Sequence, residues 1–377
     1  MSDQKQKYLF CYLRTGGGHL APARSVAQYL SRNHGKTIEP VLVDGLVEAK
    51  NFAKYIIEDG YRILQAKAKW YYEFLYATNK FPPIGYFNVV MANYFIKPYI
   101  KKRIQEEQPS KIVLFHFFLI MPVYQILKEL GLNIPIITVI TDPYTAHPLW
   151  FQRKQQHFIL FSERLKQRCV ERGINEKNLT VFPFIIDEKF SSPLSSEQIA
   201  TVRSQFGFDA NKKMILIIGG GDGIPHGKTI LQNLLSSSLP AHIAIVCGKN
   251  KQLYEDAMEL KTTFPELRVF GFIDFVYDLL NASDIVATKC GASTIMEILM
   301  MKKIPVIIDY LWEQELGNME FVRDNQLGIF ERDITKLPVI IRELISNEDY
   351  YRTFQNNITK QQLHNGTTDV GEFLTSP

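Results

Sequence analysis

The chain has 377 residues, more than a single hydrophobic core serves, so two domains are expected. Hydrophobic residues make up 46% and charged residues 22%, with a formal net charge of only +4, which argues against a long disordered tail and gives no sign of a nucleic-acid partner. Four dispersed cysteines (Cys11, Cys169, Cys247, Cys290) form no C-x-x-C, which excludes the familiar zinc and redox motifs and suits a reducing compartment.

The first ten residues, MSDQKQKYLF, are polar and lack a signal-peptide apolar region, so a cytosolic chain is expected. Tyr8 to Leu13 reads as a strand, followed by Thr15-Gly16-Gly17-Gly18-His19 and a helix over Pro22 to Leu30. Ile38 to Val43 is the next strand. The segment Asn51 to Arg103 is helical in tendency and interleaves aromatics (Trp70, Tyr71 and Phe74 among them) with Lys54, Arg62, Lys67, Lys97, Lys101, Lys102 and Arg103. Such a mixture suits the boundary between water and anionic lipid; a helical hairpin packed on the core, with solvated lysines, has the same pattern. The apolar run Ile112 to Leu127 holds His116 and Pro122 and is too short for a membrane span. It reads as a buried strand passing into a helix. Strands follow at Lys111 to Phe115, Ile134 to Thr141, His157 to Phe161 and Leu179 to Phe182, separated mostly by helical segments.

After a linker-like FSSPLSSE (Phe190 to Glu197), the scheme repeats. Strands are expected at Met214 to Ile218, Ile243 to Val246, Arg268 to Phe270, Ile285 to Thr288 and Pro305 to Ile308. Helices are expected at Lys228 to Ser236, Leu253 to Thr262, Val276 to Asn281, Thr294 to Met301 and Asn318 to Asn325. Alternation of this kind means a parallel sheet in each half. The expectation is an α/β protein of two Rossmann-like domains facing a cleft: 1–190, 191–345, and a C-terminal helical segment 346–377 packing back on the first domain.

Each half carries a glycine turn after its first strand. In IIGGGDGIPHGKT (Ile217 to Thr229), Asp222 stands where a P-loop needs its first glycine, and Pro225 removes an N–H from the loop, so an ATPase reading fails. Gly16-Gly17-Gly18-His19-Leu20-Ala21 fits G-x-G-x-x-A, with Asp44 ending the next strand, a fair dinucleotide fingerprint. Its physical content is narrower: glycines let a ligand approach backbone N–H groups at a helix N-terminus. His19 there is either a neutral base facing the cleft or a capping or surface histidine. Lys289-Cys290-Gly291-Ala292-Ser293-Thr294 with Glu297 offers a pyrophosphate site and a ribose ligand; the plain alternative is a capping box. The polar loop EQELGN, Glu313 to Asn318, suits sugar hydroxyls. No D-x-D occurs in the chain, so the usual metal-bridging carboxylates of one class of sugar-nucleotide enzymes are missing.

Together, "TGGGHLAPA", "VITDPYTAHPLWF", "LIIGGGDG", "VCGKN", "VFGFID", "ATKCGASTIMEIL" and "EQELGN" resemble, in order, the monogalactosyldiacylglycerol synthases and the bacterial processive diacylglycerol glucosyltransferases. More remotely they resemble the lipid II-forming N-acetylglucosaminyltransferase. The resemblance spans residues 8 to about 330 and implies a GT-B fold, a UDP-hexose donor, a lipid acceptor, no tightly bound metal and an inverting mechanism. It implies His19 as the base for the acceptor hydroxyl, with Gly17, Gly18, Asp142 and His147 on the acceptor side. Gly220 and Gly221 fall near the donor phosphates, Gly248, Phe272 and Ile273 at the uracil pocket, and Lys289, Ser293 and Thr294 at the diphosphate. Glu297 takes the ribose position, and Gln314, Glu315 and Asn318 read the sugar. The insertion, through Trp70, Tyr71, Lys97, Lys101, Lys102 and Arg103, takes the membrane-contacting position. The chain departs from the pattern at Arg14, at Leu20-Ala21-Pro22, at His116-Phe117 and at Gly291-Ala292-Ser293. Most of these changes fall on the acceptor side.

The expected activity is therefore hexose transfer, glucose or galactose, from a UDP-sugar to a membrane lipid, with 1,2-diacylglycerol as the expected acceptor. An unperturbed imidazole, near pKa ~6.5, would suit His19 as base. The enzyme is expected to be peripheral on the inner face of the cell membrane, drawn to its anionic surface. The rival readings are a sugar-nucleotide epimerase of similar fold and a membrane-associated GT-B protein that has lost turnover.

Overall fold

The computed structural model describes residues 5–15, 17–48, 60 and 68–376. Gly16 and, in the insertion, Lys54, Arg62 and Lys67 lie outside the described residues. Contacts divide the chain into two units, Met1–Glu188 with Asn365–Pro377, and Lys189–His364.

In the first unit, β1 (Gln6–Tyr12), β2 (Ile38–Asp44), β3 (Lys111–Leu114), β4 (Ile136–Val139), β5 (His157–Leu160) and β6 (Leu179–Val181) form one sheet. Every pairing is parallel and the order is β2-β1-β3-β4-β5-β6. The helices are α1 (Gly17–Asn33), α2 (Lys69–Thr78), α3 (Pro82–Glu107), α4 (Ile120–Leu130) and α5 (Glu163–Glu171). The run from Ile112 onward is β3, a short 3-10 turn (Phe117–Leu119) and α4, as its Pro122 suggested. Among the described residues no helix is long and apolar enough to cross a membrane.

Helix α1 starts more than a turn before Pro22, the residue that sequence marks as the helix start. The proline therefore sits inside the helix and cannot donate to the Gly18 carbonyl. The earlier start brings His19 into the first turn and buries it.

Helix α3 has two apolar faces. Gly85, Val89, Ala92, Ile96, Ile100 and Ile104, spaced by three or four, are buried, and the last four pack in the core of this unit. Phe87, Val90, Met91 and Tyr94, on another face, are exposed.

The second unit repeats the plan with β7 (Lys213–Ile218), β8 (Ala241–Val246), β9 (Arg268–Phe270), β10 (Ile285–Lys289), β11 (Ile304–Asp309) and β12 (Ile329–Phe330). This parallel sheet has the order β12-β11-β10-β7-β8-β9. Its helices are α6 (Ser196–Gln205), α7 (Gly227–Ser236), α8 (Lys251–Thr263), α9 (Val276–Ala282), α10 (Ala292–Met300), α11 (Leu316–Asp324), α12 (Leu337–Ser346) and α13 (Glu348–Lys360). Central strands such as β7 are continuous apolar runs because helices cover both faces. The two-residue β12 is too short to leave a periodic signal.

The expected 346–377 segment divides between the units. Tyr351, Phe354 and Ile358 of α13 join the second unit's core, and α14 (Thr367–Thr375) belongs to the first. The Lys111 ammonium, buried at the start of β3, donates to the carbonyls of Leu374 (2.7 Å) and Ser376 (2.8 Å) at the end of α14. A cation on helix C-terminal carbonyls is favourable both as charge-assisted hydrogen bonds and against the helix dipole. Lys111→Met keeps the stem and removes the donors. It should destabilise the protein by about 2–3 kcal/mol in denaturant unfolding; a change within about 0.5 kcal/mol would show that α14 is held by packing alone.

Candidate functional site

In an open parallel sheet, ligands bind outside the carboxyl ends of the strands where the strand order reverses. The first sheet reverses between β1 and β3. There the first turn of α1 and the segment after β3 bring His19 against His116, ring centroids 4.6 Å apart and edge-on. His19 Nδ1 lies 2.9 Å from the Thr141 hydroxyl just beyond β4, and the fully buried Trp150 stands 6.2 Å from the His19 ring. In front of this cluster, Gly17 and Gly18 are exposed, and a Cβ on either would meet nothing within 4 Å. The surrounding protein thus does not require glycine there; the space is open to a ligand.

His19 is only 7% exposed, and burial lowers its pKa to about 4 against a smaller upward pull from the Phe115 backbone. The unperturbed value expected from sequence is thereby corrected. The ring is neutral across physiological pH because it is desolvated, more than because it starts a helix.

The other buried histidines here have their lone pairs committed. His116 Nδ1 accepts from the Phe118 N–H, and burial, with His19 beside it, holds its pKa well below the ordinary value. His147 Nδ1 accepts from Leu149 N–H at the start of the Pro148–Phe151 turn, and its Nε2 faces the Tyr76 carbonyl at 3.3 Å. Burial lowers its pKa to about 4. Asp142 Oδ2 accepts from Trp150 Nε1 at 3.1 Å. His147 and Asp142 therefore frame the site through structural bonds. Asp44, the acid of the dinucleotide fingerprint, is buried and pairs with Arg14 at 3.0 Å.

The second sheet reverses between β7 and β10. After β7, Gly220 takes φ +80°, and a Cβ built on it would lie 3.9 Å from Lys289 Cε, so the glycine turn and the lysine after β10 are neighbours. Gly248 closes the turn after β8 at φ +59°, where a Cβ would sit 2.4 Å from the Gly221 carbonyl. Lys249 lies over the exposed Phe272 ring, 5.1 Å from its centroid; Ile273 is half-buried. A register shift between Thr288 and Lys289 breaks the β10–β11 ladder where the lysine leaves the sheet.

Helix α10 then begins with Gly291 as its N-cap and no side-chain cap. Ser293 and Thr294 lie inside the first turn, so the capping-box alternative is not formed, and half-buried Glu297 follows on the next turn. An uncapped N-terminus beside a lysine and a glycine turn is suited to a diphosphate. Glu315 has partners within the protein. It is 7% exposed, accepts from Leu311 N–H at 2.8 Å, and lies 3.6 Å from the Lys289 ammonium, so it braces the loop and the lysine. Asn318 donates to the Cys290 carbonyl at 3.0 Å, and its buried Oδ1 has no partner. Gln314, half-buried, lies in the same loop, where Glu313 adopts a left-handed φ of +62°.

On α2 and α3, Trp70 (74% exposed), Tyr71, Phe74, Phe81, Tyr86, Phe87 and Tyr94 form an exposed aromatic surface. The cations expected to meet lipid phosphates have carboxylate partners in the protein. Lys97 and Lys101 bind Glu129 of α4, Lys102 binds Glu48 at 3.0 Å, and Arg103 binds Glu106 and Glu107. Carboxylates of the protein thus stand beside these side chains, Glu129 serving both Lys97 and Lys101.

The family model for monogalactosyldiacylglycerol (MGDG) synthase matches residues 19–185, and that for the glycosyltransferase family 28 C-terminal domain matches residues 214–368. The chain is thus similar to the monogalactosyldiacylglycerol synthases over its first half and to the family 28 glycosyltransferases over its second. A probable monogalactosyldiacylglycerol synthase of Nicotiana tabacum is 26% identical over 94% of this chain and 68% of its own length. Monogalactosyldiacylglycerol synthase 1 of Arabidopsis thaliana is 26% identical over 91% of this chain and 65% of its own. The chain thus spans about two thirds of the length of these curated relatives. Among solved structures, Alr3699/HepE of Anabaena, in complex with UDP and glucose, superposes with a TM-score of 0.57 at 16% identity, covering 99% of this chain and 100% of that one. MurG of Acinetobacter baumannii gives 0.59 at 15% identity, covering 97% and 98%. The fold is GT-B. The family match also leaves the epimerase alternative without support.

Thr141, His116 and Trp150 surround His19, a role that sequence reasoning did not give them, although it noted His116 as a departure from the family pattern. Two of them stand inside the VITDPYTAHPLWF motif, but nothing in their spacing points to His19.

Lys228, the P-loop lysine look-alike, binds Asp256 at 3.0 Å and Glu259 at 3.7 Å. Lys228→Ala should leave UDP affinity in calorimetry within roughly twofold, since a screened, exposed ion pair contributes little. A loss of tenfold or more would return this lysine to the phosphates.

Proposed function

We propose that this chain transfers a hexose from a UDP-sugar to the hydroxyl of a membrane lipid, with 1,2-diacylglycerol as acceptor and inversion at the anomeric carbon. The observation that carries the reading is the uncapped N-terminus of α10, with Lys289 and Gly220 beside it at the reversal of the second sheet. The names of the relatives supply the acceptor, and make galactose the first sugar to test, with glucose the alternative.

In this reading Gly248, Phe272 and Ile273 receive the uracil and Glu297 the ribose. Gly220, Gly221, Lys289, Ser293 and Thr294 hold the diphosphate, and Gln314 and Asn318 contact the sugar. Glu315 positions Lys289 and the loop. The acceptor oxygen bonds to the anomeric carbon as the bond from that carbon to the phosphate oxygen breaks, and the electron pair leaves with UDP. The acceptor proton passes to His19. Charge developing on the leaving diphosphate meets backbone N–H groups and an ammonium, a role a metal fills elsewhere, so no tightly bound metal is expected.

The test is a donor screen of UDP-galactose and UDP-glucose against vesicles containing diacylglycerol, with products read by mass spectrometry. Expected is a monohexosyl lipid, formed with EDTA present and lowered roughly two to four orders of magnitude in His19→Ala while UDP still binds. Because a base with a pKa of about 4 stays neutral above that value, kcat should show no loss from His19 protonation between pH 6 and 8. UDP binding without turnover on either donor would identify a protein that keeps the fold and has lost catalysis. Loss under chelation, restored by magnesium, would overturn the metal-free step.

Attachment to the membrane is proposed to be peripheral, on the inner face, through the aromatic surface of α2 and α3. Rings at headgroup level contribute through buried apolar area, with anionic lipid a secondary attraction. Replacing Trp70, Phe74 and Phe87 with Ser should weaken vesicle binding by roughly tenfold or more. Replacing Lys97, Lys101, Lys102 and Arg103 with Ala should change it by less than roughly threefold, since each is already paired. The reverse ranking in a flotation assay would restore the electrostatic model.

A further inference from the structure

Resting on the reading of His19 as base, we infer that Thr141 is its positioning residue: the hydroxyl accepts the Nδ1–H of His19, fixing the tautomer whose lone pair is on Nε2. The two side chains meet at 2.9 Å, and both are buried, at 5% and 7% exposure. In this pocket a neutral imidazole must place its one proton on one nitrogen, and which nitrogen carries it is set by what the other side of the ring meets.

Apart from the Phe115 backbone, which also bonds the His19 ring, the neighbours leave this task to Thr141. His116 packs on His19 edge-on, but its Nδ1 lone pair is spent on the Phe118 N–H, so it neither takes a proton readily nor competes as base. His147 spends its Nδ1 on the Leu149 N–H. Trp150 is fully buried, and its indole N–H goes to Asp142, the residue after Thr141, which anchors the segment that carries the hydroxyl. A hydroxyl can accept or donate, so Thr141, the side chain that meets Nδ1, can accept its proton and keep it there when the ring becomes imidazolium. An aspartate in this place would hold the tautomer too, but would also raise the pKa of the ring; a threonine orients it without adding charge.

The deciding experiments use the full chain. In wild-type protein the long-range nitrogen-15 spectrum of the imidazoles should give His19 as the Nδ1–H tautomer, a measurement that needs no variant to fold. Thr141→Val, which removes the hydroxyl at nearly constant shape, should lower kcat roughly 10- to 100-fold with UDP affinity unchanged, and should shift His19 toward the other tautomer. Thr141→Ser should restore at least half of kcat. A wild-type Nε2–H tautomer, an undiminished kcat in Thr141→Val, or a Thr141→Ser as impaired as Thr141→Val would each overturn the assignment. Full activity in His19→Ala would instead overturn the base reading itself, and the tautomer would still decide whether Thr141 orients the ring.

Discussion

The reversal of strand order in each parallel sheet is the constraint on which the rest depends. Where neighbouring strands send their chains to opposite sides, the loops diverge and the carboxyl ends of the strands are left uncovered. In the first sheet that gap is bordered by the turns after β1 and β3, and it holds His19 and His116. In the second it is bordered by the turns after β7 and β10, and it holds the glycine turn, Lys289 and the start of α10. The chemistry differs because the residues placed at equivalent points differ. One crevice is lined by buried imidazoles and a hydroxyl. The other offers backbone N–H groups and an ammonium.

Legibility followed the range of the interaction. Strands buried on both faces are continuous apolar runs, so nearly all were visible, and the glycine turns announced themselves by composition. Local rules misled where tertiary contacts overrode them. Pro22 signals a helix start, yet α1 begins at Gly17, more than a turn earlier. Ser293, Thr294 and Glu297 spell a capping box, yet Gly291 begins the helix. The ion pair of Lys97 with Glu129 joins α3 to α4, and the bond of Thr141 to His19 spans 122 positions. No spacing rule reaches that far. The carboxylate of Glu315 turns back to Leu311 N–H, which a motif written as "sugar-reading" does not reveal.

Helix α3 shows how a single element can answer to two solvents. Its buried stripe, from Gly85 to Ile104, packs toward the core of the unit, and its aromatics are exposed over the early turns. Toward the C-terminus the exposed side becomes lysine and arginine, Lys97 and Lys101 sharing Glu129 while Lys102 and Arg103 meet other glutamates. Pairing these cations removes most of their long-range pull on anionic lipid. Under the peripheral attachment proposed here, what is left for a lipid surface is apolar area, whose attraction does not weaken as salt rises.

Burial of His19 raises a question of driving force. A ring pushed from 6.5 to about 4 is about 3 kcal/mol harder to protonate, which would be a poor start for a base that must first create an alkoxide. The order of events removes the difficulty. When the acceptor oxygen attacks a carbon already losing its leaving group, it acquires positive charge before its proton moves, and an alcohol in that state is a strong acid. Even a weak imidazole then takes the proton downhill. A desolvated base has a matching advantage: it is not protonated by water, and it does not titrate across the pH range in which the cell works. What such a base requires is orientation more than basicity, because its lone pair must already face the oxygen when the charge appears. The bond between Thr141 and Nδ1 is suited to supply that, and an aspartate in its place would strengthen the base at the price of a ring that charges more readily in the resting site.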